Sequence, residues 1–294
     1  MKYFCVLLFL IACTNLNAAT AKLRLTTVAL TRAFSDSDTV IRKQSLSVGV
    51  SYGSDVQFFG RTGPITYPFA SSDAIYNTKN GFFIYGSSLK VLGYDPFFDE
   101  IDLGGGYLYN ISKKLTGSIS YTRFLFNKDA AQVIKSASSN DINFKNTYDW
   151  KIAKSSVVVD YLFGDEDDIF VTINTSKYFE SKFSIFDDKD FLSIEPTVSA
   201  ILGTQNFVQR YSMDHAYLMD INDIFYNNPN TPRMARDNSM FNALNYSFKI
   251  PLDYNRPHYT FEFSYKYSIP VNVEGELMNR HEGFYNLTFY YVFY

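Results

Sequence analysis

From His258 to Ser268 the chain alternates without a break. Tyr259, Phe261, Phe263, Tyr265 and Tyr267 occupy one set of positions, and Thr260, Glu262, Ser264, Lys266 and Ser268 the other. Successive side chains of a strand point to opposite faces, so this stretch reads as a strand with one aromatic and one polar face. The same period of two runs through Leu46/Val48/Val50/Tyr52 and Ile101/Leu103/Gly105/Tyr107/Tyr109. It recurs in Ile194/Pro196/Val198/Ala200/Leu202 and in Leu244/Tyr246/Phe248/Ile250/Leu252. A helical period is hard to find after residue 40, while Thr26–Phe34 reads as a short helix or an extended arm. With 28 Phe and 24 Tyr in 294 residues, the chain is rich in rings that favour pleated surfaces, which points to an all-β fold and excludes disorder.

The links between the alternating segments differ in length in a regular way. Lys79-Asn80-Gly81, 111–114, 150–154 and 255–257 are tight turns, whereas 60–66, 93–98, 127–139, 164–168, 205–238 and 271–282 are longer. Strands are expected near 44–59, 67–78, 82–92, 99–110, 115–126, 140–149, 155–163, 169–179, 190–204, 239–252, 258–270 and 283–294. Short turns at one end and long links at the other describe a transmembrane antiparallel up-and-down β-barrel of about twelve strands, placed in a bacterial outer membrane with both ends of the chain on the periplasmic side. The 180–189 link is longer than the other turns on its side. Most segments have the length a tilted spanning strand needs, and closure leaves no unpaired edge in lipid. A soluble β-sandwich would use shorter strands. The longest apolar run, Tyr3–Cys13, is too short for a spanning helix.

That apolar run follows Lys2 and precedes Asn17-Ala18-Ala19, the layout of a signal peptide over 1–18 cleaved after Ala18. Residues 19–43 are then a periplasmic N-terminal segment and 44–294 the barrel. A rival export reading takes Leu10-Ile11-Ala12-Cys13 as a lipobox, with Cys13 acylated. Cys5 and Cys13 are the two cysteines, so a chain starting at Ala19 has no disulfide, Cys metal site or Cys nucleophile.

The last strand runs Gly283-Phe-Tyr-Asn-Leu-Thr-Phe-Tyr-Tyr-Val-Phe-Tyr294. It resembles the C-terminal assembly signal of bacterial outer-membrane β-barrel proteins, in which the terminal aromatic and alternate residues before it are apolar. Tyr294, Val292 and Tyr290 match, while Thr288 and Asn286 depart. The opposite set, Phe293, Tyr291, Phe289, Leu287 and Tyr285, is apolar too, which leaves the face of this strand open. Hairpin text such as Tyr107–Leu115 and Phe248–Tyr254 is similar in style to uncharacterised outer-membrane barrels of Bacteroidetes-type bacteria. The resemblance implies the surrounding lipid and the barrel-assembly machinery as partners, the latter through the C-terminal strand, and it implies no activity.

Little in the chain points to catalysis, and no cofactor or metal is expected. The closest arrangement to a barrel lipase is His258-Tyr259-Thr260, with Thr where Ser is required and with His258 and Glu262 directed inward. Asp214-His215 and His281-Glu282 are the candidates for a rim protease. These define the alternative of an outer-membrane rim hydrolase. The clusters Asp36-Ser37-Asp38, Asp165–Asp168 and Asp187–Asp190 lack the spacing and central Gly of a calcium loop and read as turn chemistry. Gly104-Gly105-Gly106 has no following helix with Lys-Ser/Thr, so it marks a strand bend or the close packing of an inward side chain. A net charge of −3 gives no electrostatic reason to expect nucleic acid.

One constellation remains. Glu195, Lys249, Glu262 and Lys266 lie on polar faces of the ninth to eleventh strands, with Glu195, Lys249 and Glu262 expected at similar height in the lumen. They form either a charge ladder of a filled interior or the constriction of a solute pathway. The chain is therefore expected to be a small passive, porin-like channel, or a structural surface barrel, without catalysis. Its long loop, 205–238, is expected to meet an extracellular ligand.

Overall fold

The computed structural model describes residues 44–94, 96–127, 138–164, 166–186, 188–207, 240–274 and 277–294. The signal peptide, the 19–43 segment, Asp214-His215 and most of the 205–238 link lie outside the described residues.

The strands are β1 (Ser45–Gly53), β2 (Phe69–Asn77), β3 (Phe82–Val91), β4 (Glu100–Asn110), β5 (Leu115–Phe126), β6 (Ser138–Asp149), β7 (Lys154–Gly164), β8 (Asp168–Ser176), β9 (Phe179–Glu180), β10 (Phe191–Ile194), β11 (Thr197–Gly203), β12 (Asn242–Asn255), β13 (Tyr259–Pro270) and β14 (Glu282–Phe293). Sequence neighbours pair antiparallel, and β1 closes the sheet on β14 with Val48 opposite Tyr291. β9 prolongs β8 and β10 prolongs β11, because Ser176 pairs with Thr197 and Glu180 with Ser193. The segments therefore make twelve continuous strands of a closed up-and-down barrel. The turn that reached the sequence reading as an over-long link, 180–189, is the tip of this extended hairpin.

Alternation decides what each face meets. On β13, Phe261 and Phe263 are exposed while Glu262, Ser264 and Ser268 are buried. The exposed large apolar side chains continue round the outside, from Leu46, Val50 and Tyr52 through Ile84, Leu103, Ile119, Phe144, Val157 and Ile173 to Ile250 and Leu287. A contiguous apolar belt of this extent has no place on a water-soluble monomer and fits a wall facing lipid. Aromatic pairs sit at its rims, Tyr148 with Trp150 at the short-turn end and Phe97 with Phe98 at the other. On β14 the outward set is Tyr285, Leu287 and Phe293, and the buried set is Phe284, Thr288 and Tyr290. The set that matches the assembly signal, Tyr290 and Val292, thus belongs to the inner face of the strand.

Two local departures follow from packing. Opposite Ile201 and Leu202 the register slips by one residue on β12, from Asn245 to Ala243. The extra residue of this bulge is Leu244, expected outside with Tyr246 and Phe248; it is fully buried and joins an inner apolar cluster. A bulge breaks the two-residue period and re-aims the side chain it carries. On β4, a Cβ on Gly104 would lie 2.6 Å from Tyr85 Oη, and one on Gly106 would lie 2.6 Å from Phe83 Cζ. The glycine run is what lets these two inward rings lie flat on the neighbouring strand.

Candidate functional site

The strand expected over 44–59 stops at Gly53, and residues 54–68 turn back into the mouth of the barrel at its long-link end. Their tip is a two-residue hairpin closed by Phe58 N–H to Arg61 O at 2.9 Å and Arg61 N–H to Phe58 O at 2.8 Å. Phe59 has φ 44° and Gly60 φ 77°, both in the left-handed region, as a primed turn requires. Glycine is at ease there; a Phe in that conformation costs about 1–3 kcal/mol. Its ring is buried, stacked on Phe170 at 3.6 Å between centroids and edge-on to Phe58 at 4.9 Å. Phe124, Leu162, Ile201, Phe207, Leu244 and Leu277 complete the cluster round it. Burying a Phe is worth about 1.5–3 kcal/mol, which offsets the backbone strain.

Arg61 holds this tip in place. It is fully buried, and Nε and Nη2 donate to Gln205 Oε1 at 3.0 and 2.6 Å, Nη1 to Leu244 O at 2.7 Å, and Nη2 to Val271 O at 2.9 Å and Asn272 O at 3.1 Å. One guanidinium thereby ties the loop to the ends of β11, β12 and β13 by satisfying carbonyls where those strands stop. Burial lowers its pKa to about 10, opposed by the charge of Glu274, so it stays cationic at neutral pH. Thr62 Oγ1 donates to Glu282 Oε2 at 2.8 Å, and Arg280 Nε donates to Glu282 Oε1 at 3.0 Å. Asp55 closes the base of the loop by accepting from Tyr67 N–H at 2.7 Å. Burial pushes the Asp55 carboxyl up to about 6, with Glu282 adding to the rise and the Tyr67 bond and Arg280 opposing it.

Below the loop lie the charged residues singled out from sequence. Lys249 Nζ and Glu262 Oε1 form an ion pair at 2.8 Å, both side chains largely buried. Glu195 instead accepts from Ser176 Oγ at 2.7 Å. Lys266 is the cross-strand partner of Lys249; it donates to Gln57 Oε1 of the inturned loop and lies 5.5 Å from the centre of the Phe284 ring. Lys249 and Glu262 thus meet each other, while Lys266 reaches the loop.

The inner wall carries a second group of charges that sequence reasoning passed over. Asp73 on β2, Asp102 on β4, Asp141 on β6 and Asp160 on β7 are all buried. Their signal was present, since Asp141-Ile142-Asn143-Phe144 alternates as clearly as β13 does, but lumen charges were sought only on the ninth to eleventh strands. Of the acidic clusters expected in turns, Asp36-Ser37-Asp38 lies outside the described residues, while the other two clusters bind loop groups. Asp168 accepts from Thr204 Oγ1 at 2.7 Å, Asn206 N–H at 2.8 Å and Phe207 N–H at 3.0 Å, and Asp190 accepts from Ile185 N–H, Phe186 N–H and Tyr254 Oη.

Among the described residues, which leave out Asp214-His215, the hydrolase candidates do not assemble. His258, expected to point inward, lies at the rim against Tyr291 and Tyr294, with Nδ1 3.4 Å from Val292 O. Thr260 Oγ1 donates to Asn255 Oδ1. His281 meets the Tyr267 hydroxyl, while its neighbour Glu282 turns to Thr62 and Arg280. Adjacent residues entering a strand face opposite ways, which separates His281 from Glu282.

No protein-family model matches the chain, and no curated protein matches its sequence. Among solved structures it is similar to the KdgM porin, at 8% identity and TM-score 0.47, over 84% of this chain and 99% of that one. It is similar to the NanC porin at 12% identity and TM-score 0.46, over 83% and 98%. It is also similar to an outer-membrane channel from Pseudomonas putida F1 at 10% identity and TM-score 0.39, over 88% and 98%. These neighbours are bacterial outer-membrane barrels, and at such scores the likeness is one of barrel architecture.

Proposed function

We propose that the protein is a passive channel of the bacterial outer membrane whose external mouth is stoppered by the inturned 54–68 loop. The observation that carries this reading is an apolar outer belt over inner faces that carry polar side chains, as Asp141 and Asn143 on β6 and Glu262, Ser264 and Ser268 on β13, while β3 turns Phe83, Tyr85, Leu89 and Val91 inward. Polar inner faces belong to barrels with a water-filled channel and to barrels plugged by a loop, and the inturned 54–68 loop is the plug in this reading. In this reading the chain is exported by its signal peptide, inserted by the assembly machinery through β14, and oriented with short turns in the periplasm. The 205–238 loop then stands outside, free to meet a surface ligand.

The test is single-channel recording of the refolded protein beside the Phe59→Ala variant. Discrete conductance steps, larger or more frequent in the variant, support a stoppered channel. Silence from both, with the barrel intact on a cold SDS gel, means a filled structural barrel instead.

A further inference from the structure

The inner wall of β2–β7 has an unbalanced charge. Asp73 and Asp102 both pair across strands with Ser87, and Ser87 Oγ donates to Asp102 at 3.0 Å. Thr122 on β5 is the cross-strand partner of Asp141, and Asn143 that of Asp160. The Tyr85 hydroxyl, hydrogen-bonded to Thr122 Oγ1, has Asp102, Asp141 and Asp160 as its charged neighbours. Four carboxylates from four strands therefore surround one stretch of the inner wall.

Two of them lack hydrogen-bond partners among the described residues. Asp141 is 0% and Asp73 5% exposed, and neither oxygen of either carboxylate has a hydrogen-bond partner. Asp160 accepts from Asn143 Nδ2 at 2.6 Å. An ionised carboxylate taken out of water without a partner costs several kcal/mol.

We propose that this wall is a binding site for a linear polyamine, with Asp73, Asp102, Asp141 and Asp160 each taking an ammonium group. The inference rests on the channel reading, because the ligand reaches the wall through the lumen once the loop swings out. Neighbouring strands lie about 4.8 Å apart, so carboxylates on alternate strands stand on the order of 10 Å from one another. Direct chelation of calcium needs oxygens about 2.3–2.6 Å from one point, and no set of three acidic or histidine side chains among the described residues comes together that way. Separated carboxylates suit separated cations on one flexible chain. Ammonium groups also arrive with hydrogen-bond donors for the oxygens that have none.

The test is calorimetric titration of spermine into the refolded full-length protein in detergent micelles, near neutral pH and at low salt. It is run on the wild type, on Phe59→Ala to ensure access, and on Phe59→Ala carrying Asp73→Asn and Asp141→Asn. Binding to Phe59→Ala that weakens about tenfold or more in the triple variant, a change of about 1.4 kcal/mol, is the expected result. A cold SDS gel checks that each barrel has closed, and Asp73→Asn alone serves if the double replacement does not fold. Absence of spermine binding to Phe59→Ala overturns the site, as does binding that the Asp replacements leave unchanged. So does full competition by magnesium at matched ionic strength, since that marks a screening atmosphere. Conductance without spermine binding removes this site and leaves the channel; spermine binding by a barrel silent in bilayers removes the channel and leaves the site.

Discussion

The ring of Phe59 lies parallel to that of Phe170, 3.6 Å between centroids and 6° between planes. One belongs to the loop after β1 and the other to β8, so a residue in strained backbone spans the mouth and is held by a strand far along the chain. Closure of the mouth therefore depends on a contact that either strand alone could not make.

Replacing Phe59 by Ala removes the stacked ring and leaves a cavity among Phe124, Leu162 and Ile201. Burial losses of this kind cost about 3–5 kcal/mol. The cost falls on loop seating, because the hydrogen-bonded wall does not include residue 59. Larger conductance with an unchanged cold-gel shift is the expected outcome; a variant that no longer forms a closed barrel would show that the loop is part of the fold's core.

Gly60 is constrained twice. Its φ is 77°, and a Cβ built there would stand 2.5 Å from Asn245 Cβ. Gly60→Ala should destabilise the loop by about 1 kcal/mol or more from backbone strain alone, and Gly60→Val should release it. Limited proteolysis of the folded barrel reads this directly, through cleavage within 54–68. Equal resistance in wild type and Gly60→Val would contradict the tip geometry.

Asp55 makes the loop respond to acid. Its carboxyl titrates near 6 when seated, against 3.8 for the ordinary side chain. The seated state thus binds the proton more tightly, so seating strengthens as pH falls from about 6 towards 4 and is weaker above 6. The charged groups facing it are Glu282 and Arg280. Conductance should decline on acidification over that range, and Asp55→Asn should flatten the response. A wild-type channel that opens further in acid would reverse the sign and refute the assignment.

Lys249 and Glu262 form a largely buried pair 2.8 Å apart. Lys249→Leu removes the cation from a largely buried carboxylate and should cost about 3–5 kcal/mol, whereas Lys249→Leu with Glu262→Leu should recover most of that loss. Urea unfolding in micelles measures both. In a conducting barrel, Lys249→Leu should also move the reversal potential towards cation preference, because charges in the lumen set selectivity.

The architecture was legible in the residues because it rests on local rules. Alternation such as Tyr259–Ser268 assigns faces, link lengths assign ends, and together they imply twelve strands in a closed barrel. Inward rings over Gly104 and Gly106 were readable for the same reason, since a Gly in a strand signals close approach. Local rules stop where a residue leaves the ladder. The period of two carried β1 on through Phe58 and placed Leu244 outside, but a primed turn ended the one and a bulge re-aimed the other. Both departures are fixed by partners remote in sequence: Phe170 for Phe59, and the inner cluster of Phe59, Leu162 and Ile201 for Leu244. The lumen charges divide the same way. That Lys249 and Glu262 share the inner face follows from alternation; that Glu195 takes Ser176, Lys266 takes a loop glutamine, and Asp73 and Asp141 are left without partners depends on register and on which backbone folds inward. Periodicity decides the side of the wall a residue occupies, and only closure of the sheet decides what it meets there.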